Sequence, residues 1–354
     1  MRKQESGVRS QESEGRNRVV RISSGWLPTC VFLLLLTAYC STLTAQASSW
    51  SRQPSGTMAW LRAVYFLDQN RGWVAGSYGT LLQTSDGGTT WHKAPSGTRD
   101  ALIDVHFSDE RVGWLLAQRD VLKLKTNERS SYLLHTNDGG VTWRPVFLDT
   151  PDVNTRFVRL LFTDPQHGWV FGETGVLFAS NDGGEHWMPQ RSATRHLLLN
   201  GTFANDGHAF IVGAGATIMQ SNDRGATWQL SEPRNVLNTR FNGITSVGSF
   251  AWAVGSAGEI FASSDGGRAW SRQHSNVDSD LFDVKFIDAR QGWAVGDQGT
   301  LLHTTDGGIH WVTEPTSSNH ALQRLFIIDR NHAWAVGFGG TILRFGDANP
   351  PGLK

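Results

Sequence analysis

The sequence predicts an all-β fold, a seven-bladed β-propeller with Asp-box hairpins, closed by an N-terminal strand that completes the last blade. Three observations carry this expectation. The phrase TSDGGTTW at residues 84–91 recurs as TNDGGVTW, SNDGGEHW, SNDRGATW, SSDGGRAW and TTDGGIHW. A second aromatic series, Trp73, Trp114, Trp169, Phe210, Trp252, Trp293 and Trp334, interleaves with the box tryptophans, mostly at a spacing of about 41 residues. The chain has 39 glycines and 15 tryptophans in 354 residues and lacks helical periodicity, which suits many short strands joined by turns.

Residues 1–47 stand apart. A basic, polar lead with Arg16, Arg18 and Arg21 runs into the apolar stretch 27–39 and then Ala45-Gln46-Ala47. That is the layout of a secretory signal, and its apolar core is short of the ~20 residues a membrane span needs. The expectation is a signal peptide removed on export, with an uncleaved N-terminal anchor as the alternative. Cys30 and Cys40, the chain's two cysteines, both fall in this segment. The expected propeller, 48–347, therefore has no disulfide framework and no thiol chemistry, and residues 348–354 read as a tail.

Within a repeat the pattern reads as four strands. Residues 102–107 alternate, Gly113-Trp114 opens a second run, residues 79–84 form a third and residues 89–92 a fourth. The box falls at the turn between the third and fourth. Its aspartates, Asp86, Asp138, Asp182, Asp223, Asp265 and Asp306, are expected to accept backbone N–H bonds, and its glycines to take positive φ. A catalytic residue is needed once and a turn in every blade, so the boxes are read as structural. One long interval holds an insertion at residues 118–131.

Six boxes against seven aromatic positions point to the closure. The chain runs out after a third strand at residues 341–345, while WSRQPSGT at 50–57 matches WHKAPSGT at 91–98. The N-terminal strand is expected to supply the missing outer strand, giving a monomer with few open edges.

Composition narrows the function. Lys plus Arg and Asp plus Glu each number 32, so no bulk charge invites nucleic acid. The 12 histidines form no ligand-spaced cluster, and neither a metal nor a cofactor is expected. A carbohydrate-active enzyme, sialidase-like or another glycoside hydrolase, is the alternative function. Yet Tyr65, Tyr78 and Tyr132, the tyrosines beyond residue 47, have no nearby glutamate to activate a nucleophile, and Glu110, Glu128, Glu173, Glu185, Glu232, Glu259 and Glu314 share no phase. Arginine stands out instead. Arg99, Arg156, Arg195 and Arg240 fall where one blade hands over to the next. Ten residues before each aromatic of the second series come Ala63, Asp104, Arg159, Asn200, Asn242, Asp283 and Arg324, polar in all but the first. The expectation is a polar rim around the axis in which Arg99, Arg156, Arg159, Arg195, Arg240 and Arg324 bind carboxylates of a partner through their planar forks.

The combination of GWVAGSYGTLLQTSDGGTTW at 72–91 and GWAVGDQGTLLHTTDGGIHW at 292–311, repeated around the chain after a signal-like segment, resembles the photosystem II stability and assembly factor family of plants and cyanobacteria. The resemblance covers about residues 48–347. Phe210 in place of tryptophan, Arg224 in place of a box glycine and the 118–131 insertion depart from it locally. It implies a non-enzymatic BNR-repeat propeller of the lumen or periplasm, with an arginine-rich face. Such a protein binds a membrane-protein subunit, or an exported carboxylate-bearing segment of one, during assembly.

Overall fold

The GW-x-x-G phrase is the second strand of its blade, and its burial explains its composition. Gly72–Gly76, Gly168–Gly172 and Gly292–Gly296 are buried at every position, because each strand is covered on both faces by adjoining blades. Strands covered on both sides read as continuous apolar runs rather than alternating ones. The computed structural model describes residues 49–204, 207–231 and 239–346, and its sheets are seven four-stranded antiparallel meanders. Blades 1 to 6 span residues 61–93, 101–146, 157–189, 198–231, 241–273 and 281–313. Blade 7 runs from residue 322 to 346 and takes its outer strand from the other end of the chain. The signal or anchor assigned to residues 1–47 and the tail at 348–354 lie outside the described residues.

Tryptophan on phenylalanine joins adjacent blades at several seams. Trp73 of blade 1 lies flat on Phe107 of blade 2 at 3.7 Å between ring centroids, and Trp252 of blade 5 on Phe286 of blade 6 at 3.6 Å. Trp334 of blade 7 stacks on Phe66 of blade 1 at 3.5 Å, so the same contact closes the ring. The box tryptophan then meets that phenylalanine edge-on, as Trp91 does Phe66 and Trp311 does Phe286. Each phenylalanine thus joins the preceding blade to its own outer edge through favoured aromatic geometries.

The boxes form the expected turns and do more. Thr304 Oγ1 donates to Asp306 Oδ1 (2.9 Å) and accepts from Gly308 N (2.9 Å), while Asp306 Oδ1 accepts from His310 N (2.9 Å). The His310 backbone and ring bonds hold the Asp306 carboxyl down at about 2, so it remains an acceptor at neutral pH. Beyond the hairpin, Trp334 Nε1 donates to Gly87 O (3.0 Å) and Trp252 Nε1 to Gly307 O (3.0 Å), so a box also docks on the preceding blade's tryptophan. A Cβ on Gly184 would come within 2.4 Å of Trp114, and its φ of +89° is unfavourable for other residues. At the departing box, Arg224 itself adopts φ 58°. Thr304 is buried, and its hydroxyl also accepts from Asp306 N (3.3 Å), so Thr304→Val, which keeps its shape and removes all three hydrogen bonds, is expected to cost about 1–3 kcal/mol in urea denaturation. A loss within error of zero would mean that the hydroxyl is dispensable.

The ring closes as the 50–57 match requires. Ser49–Gln53 pairs antiparallel with Ile342–Gly346, with Trp50 opposite Phe345. Trp50 is buried in one cluster with Trp293 and Phe345. Strand limits differ from the sequence reading in two places. The third strand of blade 1 is Leu81–Thr84, because Ser77–Gly79 forms a short 3-10 turn. The fourth is only His92–Lys93, because Thr89 and Thr90 are taken up by hydrogen bonds to Asp86.

Candidate partner-binding face and axial channel

The inner strands line a channel, and a register shift in each sets its chemistry. Between Leu61 and Ala63, and at the matching place in all seven blades, the inner strand slips against its neighbour. Bulges of this kind re-aim side chains. The residues at the slip are Ala63, Asp104, Arg159, Asn200, Gly243, Asp283 and Arg324. Gly243, not Asn242, holds the blade 5 position, because that blade's first hairpin is one residue shorter between its inner strand and Trp252.

These residues form a buried polar belt rather than a rim. Asp104, Arg159, Asn200, Asp283 and Arg324 are all buried. Arg159 Nη1 donates to both oxygens of Asp104 (2.9 and 2.8 Å). Asp104 also accepts from Val105 N (3.1 Å) and, across the blade boundary, from Leu160 N (3.0 Å). Asp283 repeats the motif, accepting from Val284 N (3.0 Å) and from Leu325 N of the next blade (3.0 Å). Asn200 Nδ2 reaches Asp283 Oδ1 (3.1 Å) past blade 5. Gly243 leaves that path open, since a Cβ there would stand 2.8 Å from the Asp283 Cα. Arg159 and Arg324, expected on the partner face, thus lie buried in the channel wall. The slip turned a phase that the sequence reading placed at the rim into the interior.

At the end where the inner strands begin, the channel mouth holds a cavity of about 280 Å³ to which every blade contributes, with Arg62, Arg240, Asn242 and Gln323 among its walls. Beside it, sharing Arg62, lies a groove of about 560 Å³ in which Arg62, Arg99, Arg119 and Arg156 converge. One wall is the 118–131 insertion, through Gln118, Arg119, Asp120, Lys123 and Glu128. The insertion and the arginines of the blade connections are therefore one surface.

The groove's arginines are held by neighbours that do not neutralise them all. Arg62 stacks on Trp60 with its guanidinium carbon 4.1 Å from the ring centroid, and burial followed by the nearby Arg156 charge pushes its pKa down. Its Nε is buried without a partner. Arg119 lies over Tyr132 at 4.6 Å, pairs with Asp100 Oδ2 at 3.7 Å and donates to Arg129 O (2.6 Å). Arg156 Nη2 reaches only Arg119 O (3.4 Å), and Arg99 is exposed, with no ion pair among the described residues. Next to the groove, Tyr78 and Met58 are 83% and 80% exposed, and Phe338 packs edge-on against Trp60 at 6.0 Å.

Of the arginines expected to bind a partner, Arg99 and Arg156 meet in the groove, and Arg240 and the buried Arg324 line the adjoining mouth. Arg195 is exposed but lines neither. Arg62 and Arg119 were missed. Arg62 is the immediate neighbour of the phased Ala63, and Arg119 lies in the insertion, so both were within reach of the pattern. Among the described residues, no group of three or more His, Cys, Asp or Glu is placed to hold a metal.

The family model for the photosynthesis system II assembly factor YCF48 matches residues 42–150, 94–195, 185–278 and 270–348. The photosystem II assembly lipoprotein Ycf48 of Synechococcus sp. (strain CC9902) is 29% identical over 148 residues, 41% of this chain and 44% of that protein. The chloroplastic photosystem II stability/assembly factor HCF136 of Arabidopsis thaliana is 28% identical over 116 residues, 31% of this chain and 28% of that protein. The matches thus span less than half the length of these relatives. Two solved structures share the fold. A YCF48 bound to D1 peptide superposes with a TM-score of 0.69 at 20% identity, covering 84% of this chain and 96% of that one. YCF48 from Cyanidioschyzon merolae gives 0.68 at 18% identity, covering 85% and 100%. With its repeats matched from residue 42 to 348, the chain belongs to the YCF48 family of photosystem II assembly factors.

Proposed function

We propose that this protein is an exported, non-catalytic propeller that binds a membrane-protein subunit during assembly, and that the arginine groove takes a carboxylate-bearing segment of that subunit. The observation that carries the proposal is the convergence of Arg62, Arg99, Arg119 and Arg156 in one groove where, of the three carboxylates Asp100, Asp120 and Glu128, Asp100 alone pairs with one of these arginines. Planar guanidinium forks suit carboxylates, and the exposed aromatic shoulder beside them suits the flanking apolar residues of an extended peptide. The names of the relatives, one a lipoprotein and one chloroplastic, support an exported, membrane-associated setting in the periplasm or lumen. The D1 peptide bound to the structural neighbour supports a subunit segment as the ligand.

The test replaces Arg99, Arg156 and Arg240 together by Gln. Charge-assisted contacts of ~1.5–3 kcal/mol each predict a loss of binding by orders of magnitude, and a marked weakening of wild-type binding with salt. The melting temperature should stay within a few degrees, because Arg99 and Arg240 are exposed, where substitutions usually change stability by less than ~0.5 kcal/mol, and the half-buried Arg156 gives up one long hydrogen bond. The partner is recovered from solubilised host membranes, identified, and measured again as a peptide with a free or an amidated terminus. Arg195→Gln serves as the control that binds like wild type. Equal affinity of the triple variant would remove this face from the reading. Turnover of sialosides or β-glucans that a single carboxylate substitution abolishes would overturn the non-catalytic assignment.

A further inference from the structure

Below the belt the channel widens into a second cavity of about 410 Å³, running to the first hairpin turns of blades 2 and 3 at Ser108 and residues 163–165. Its charged wall comprises Asp104, Arg159, Lys285 and Arg324, with Asp164 at the turn and the rings of His106 and Tyr65 alongside. Three cations in this wall face the carboxylates Asp104 and Asp164, with Asp283 behind the wall as a third.

The carboxylates are already committed. Each Asp104 oxygen takes one backbone N–H and Arg159, and Asp283 is held by Val284 N, Leu325 N and Asn200. Asp164 is bonded within its own turn to Gln166 N and His167. Arg324, only 7% exposed, makes no hydrogen bond or ion pair among the described residues, and its Nε is buried without a partner. Lys285 likewise has none; burial lowers its pKa, against the nearby Asp283 charge, which raises it, and with the smaller help of the Arg159 and Arg324 charges. His106 adds no further cation, since burial and then the Arg159 charge push its pKa down to about 3.

A guanidinium cannot shed its proton to escape burial, so an unpaired one in a protein interior requires a compensating anion. We propose that this axial cavity binds a small oxyanion of phosphate or sulfate size, held between the Arg324 guanidinium and the Lys285 ammonium. The site differs from the arginine groove. It opens away from it, on the side of the first hairpin turns, and the belt separates the two.

The experiment is calorimetry with inorganic phosphate, repeated with sulfate and acetate, in a buffer free of other oxyanions, paired with thermal melts. Wild type is expected to bind phosphate or sulfate one to one and to melt higher as the anion is added. Lys285→Gln should weaken binding by ~10-fold or more, the loss of one charge-assisted contact, and should melt higher than wild type without anion because an unpaired cation is gone. Arg324→Gln should weaken it similarly. The Arg99, Arg156 and Arg240 triple variant should bind the anion as wild type does, which separates this site from the proposed partner groove. No saturable heat or melting shift with either phosphate or sulfate, or an undiminished shift in Lys285→Gln, would overturn the proposal.

Discussion

Asp104→Ala is expected to destabilise the protein by about 3–5 kcal/mol, the range for removing one partner of a buried ion pair. Three groups lose their acceptor at once: the Arg159 guanidinium, Val105 N and Leu160 N. Arg159 is buried and stays charged, and Leu160 N belongs to the next blade, so the damage falls on the seam between blades 2 and 3. The compensating change identifies the cause. Arg159→Met in the Asp104→Ala background removes the stranded charge and should recover a large share of the loss, leaving mainly the two unsatisfied amides. Chemical denaturation of the two single variants and the double variant gives the coupling directly. A cost below about 1 kcal/mol for Asp104→Ala, or no recovery in the double variant, would mean that the belt does not tie the blades.

The closure strand carries the second large effect. Trp50→Ala should cost about 3–5 kcal/mol, typical of emptying a buried tryptophan site, because its ring fills the space against Phe345 at 5.3 Å and shares a cluster with Trp293. Removing Ser49–Gln53 altogether leaves Ile342–Gly346 as an open edge. The truncated protein is expected to melt lower and to self-associate as its concentration rises, since an unpaired edge recruits another strand. Melting curves and size-exclusion profiles identical to those of the intact protein would rule out this account of closure.

Much of this architecture was legible because its determinants are local and repeated. A box needs a hydroxyl, an aspartate and glycines within a few residues, and each blade restates the requirement, as at Thr304, Asp306 and Gly308. Closure was readable because residues 50–57 imitate residues 91–98, which begin at a box tryptophan. The belt was not, since its geometry depends on a one-residue slip that the sequence does not mark. Counting back from Trp252 lands on Asn242, whose side chain bonds to Leu281 O, while Gly243 occupies the equivalent place. The same slip moved Arg159 and Arg324 from the expected rim to the interior. The groove escaped for a different reason. Arg62, from the first blade, and Arg119, from an insertion outside the repeat, meet Arg99 and Arg156 only when blades 1 to 3 pack side by side, so the pattern held each residue but not their meeting.

The seam also has a mechanical character. Ser49 lies opposite Gly346 and Gln53 opposite Ile342, so both ends of the propeller leave the strand pair from the same side. Tension between the two ends would act across the pair rather than along it. The hydrogen-bonded pairs would separate in turn, like the teeth of a zipper, instead of resisting together in shear. The other blades are each built from one continuous stretch of chain and carry no such joint. A pull on the ends would therefore open the ring at blade 7 first and at low load, with the remaining blades still folded.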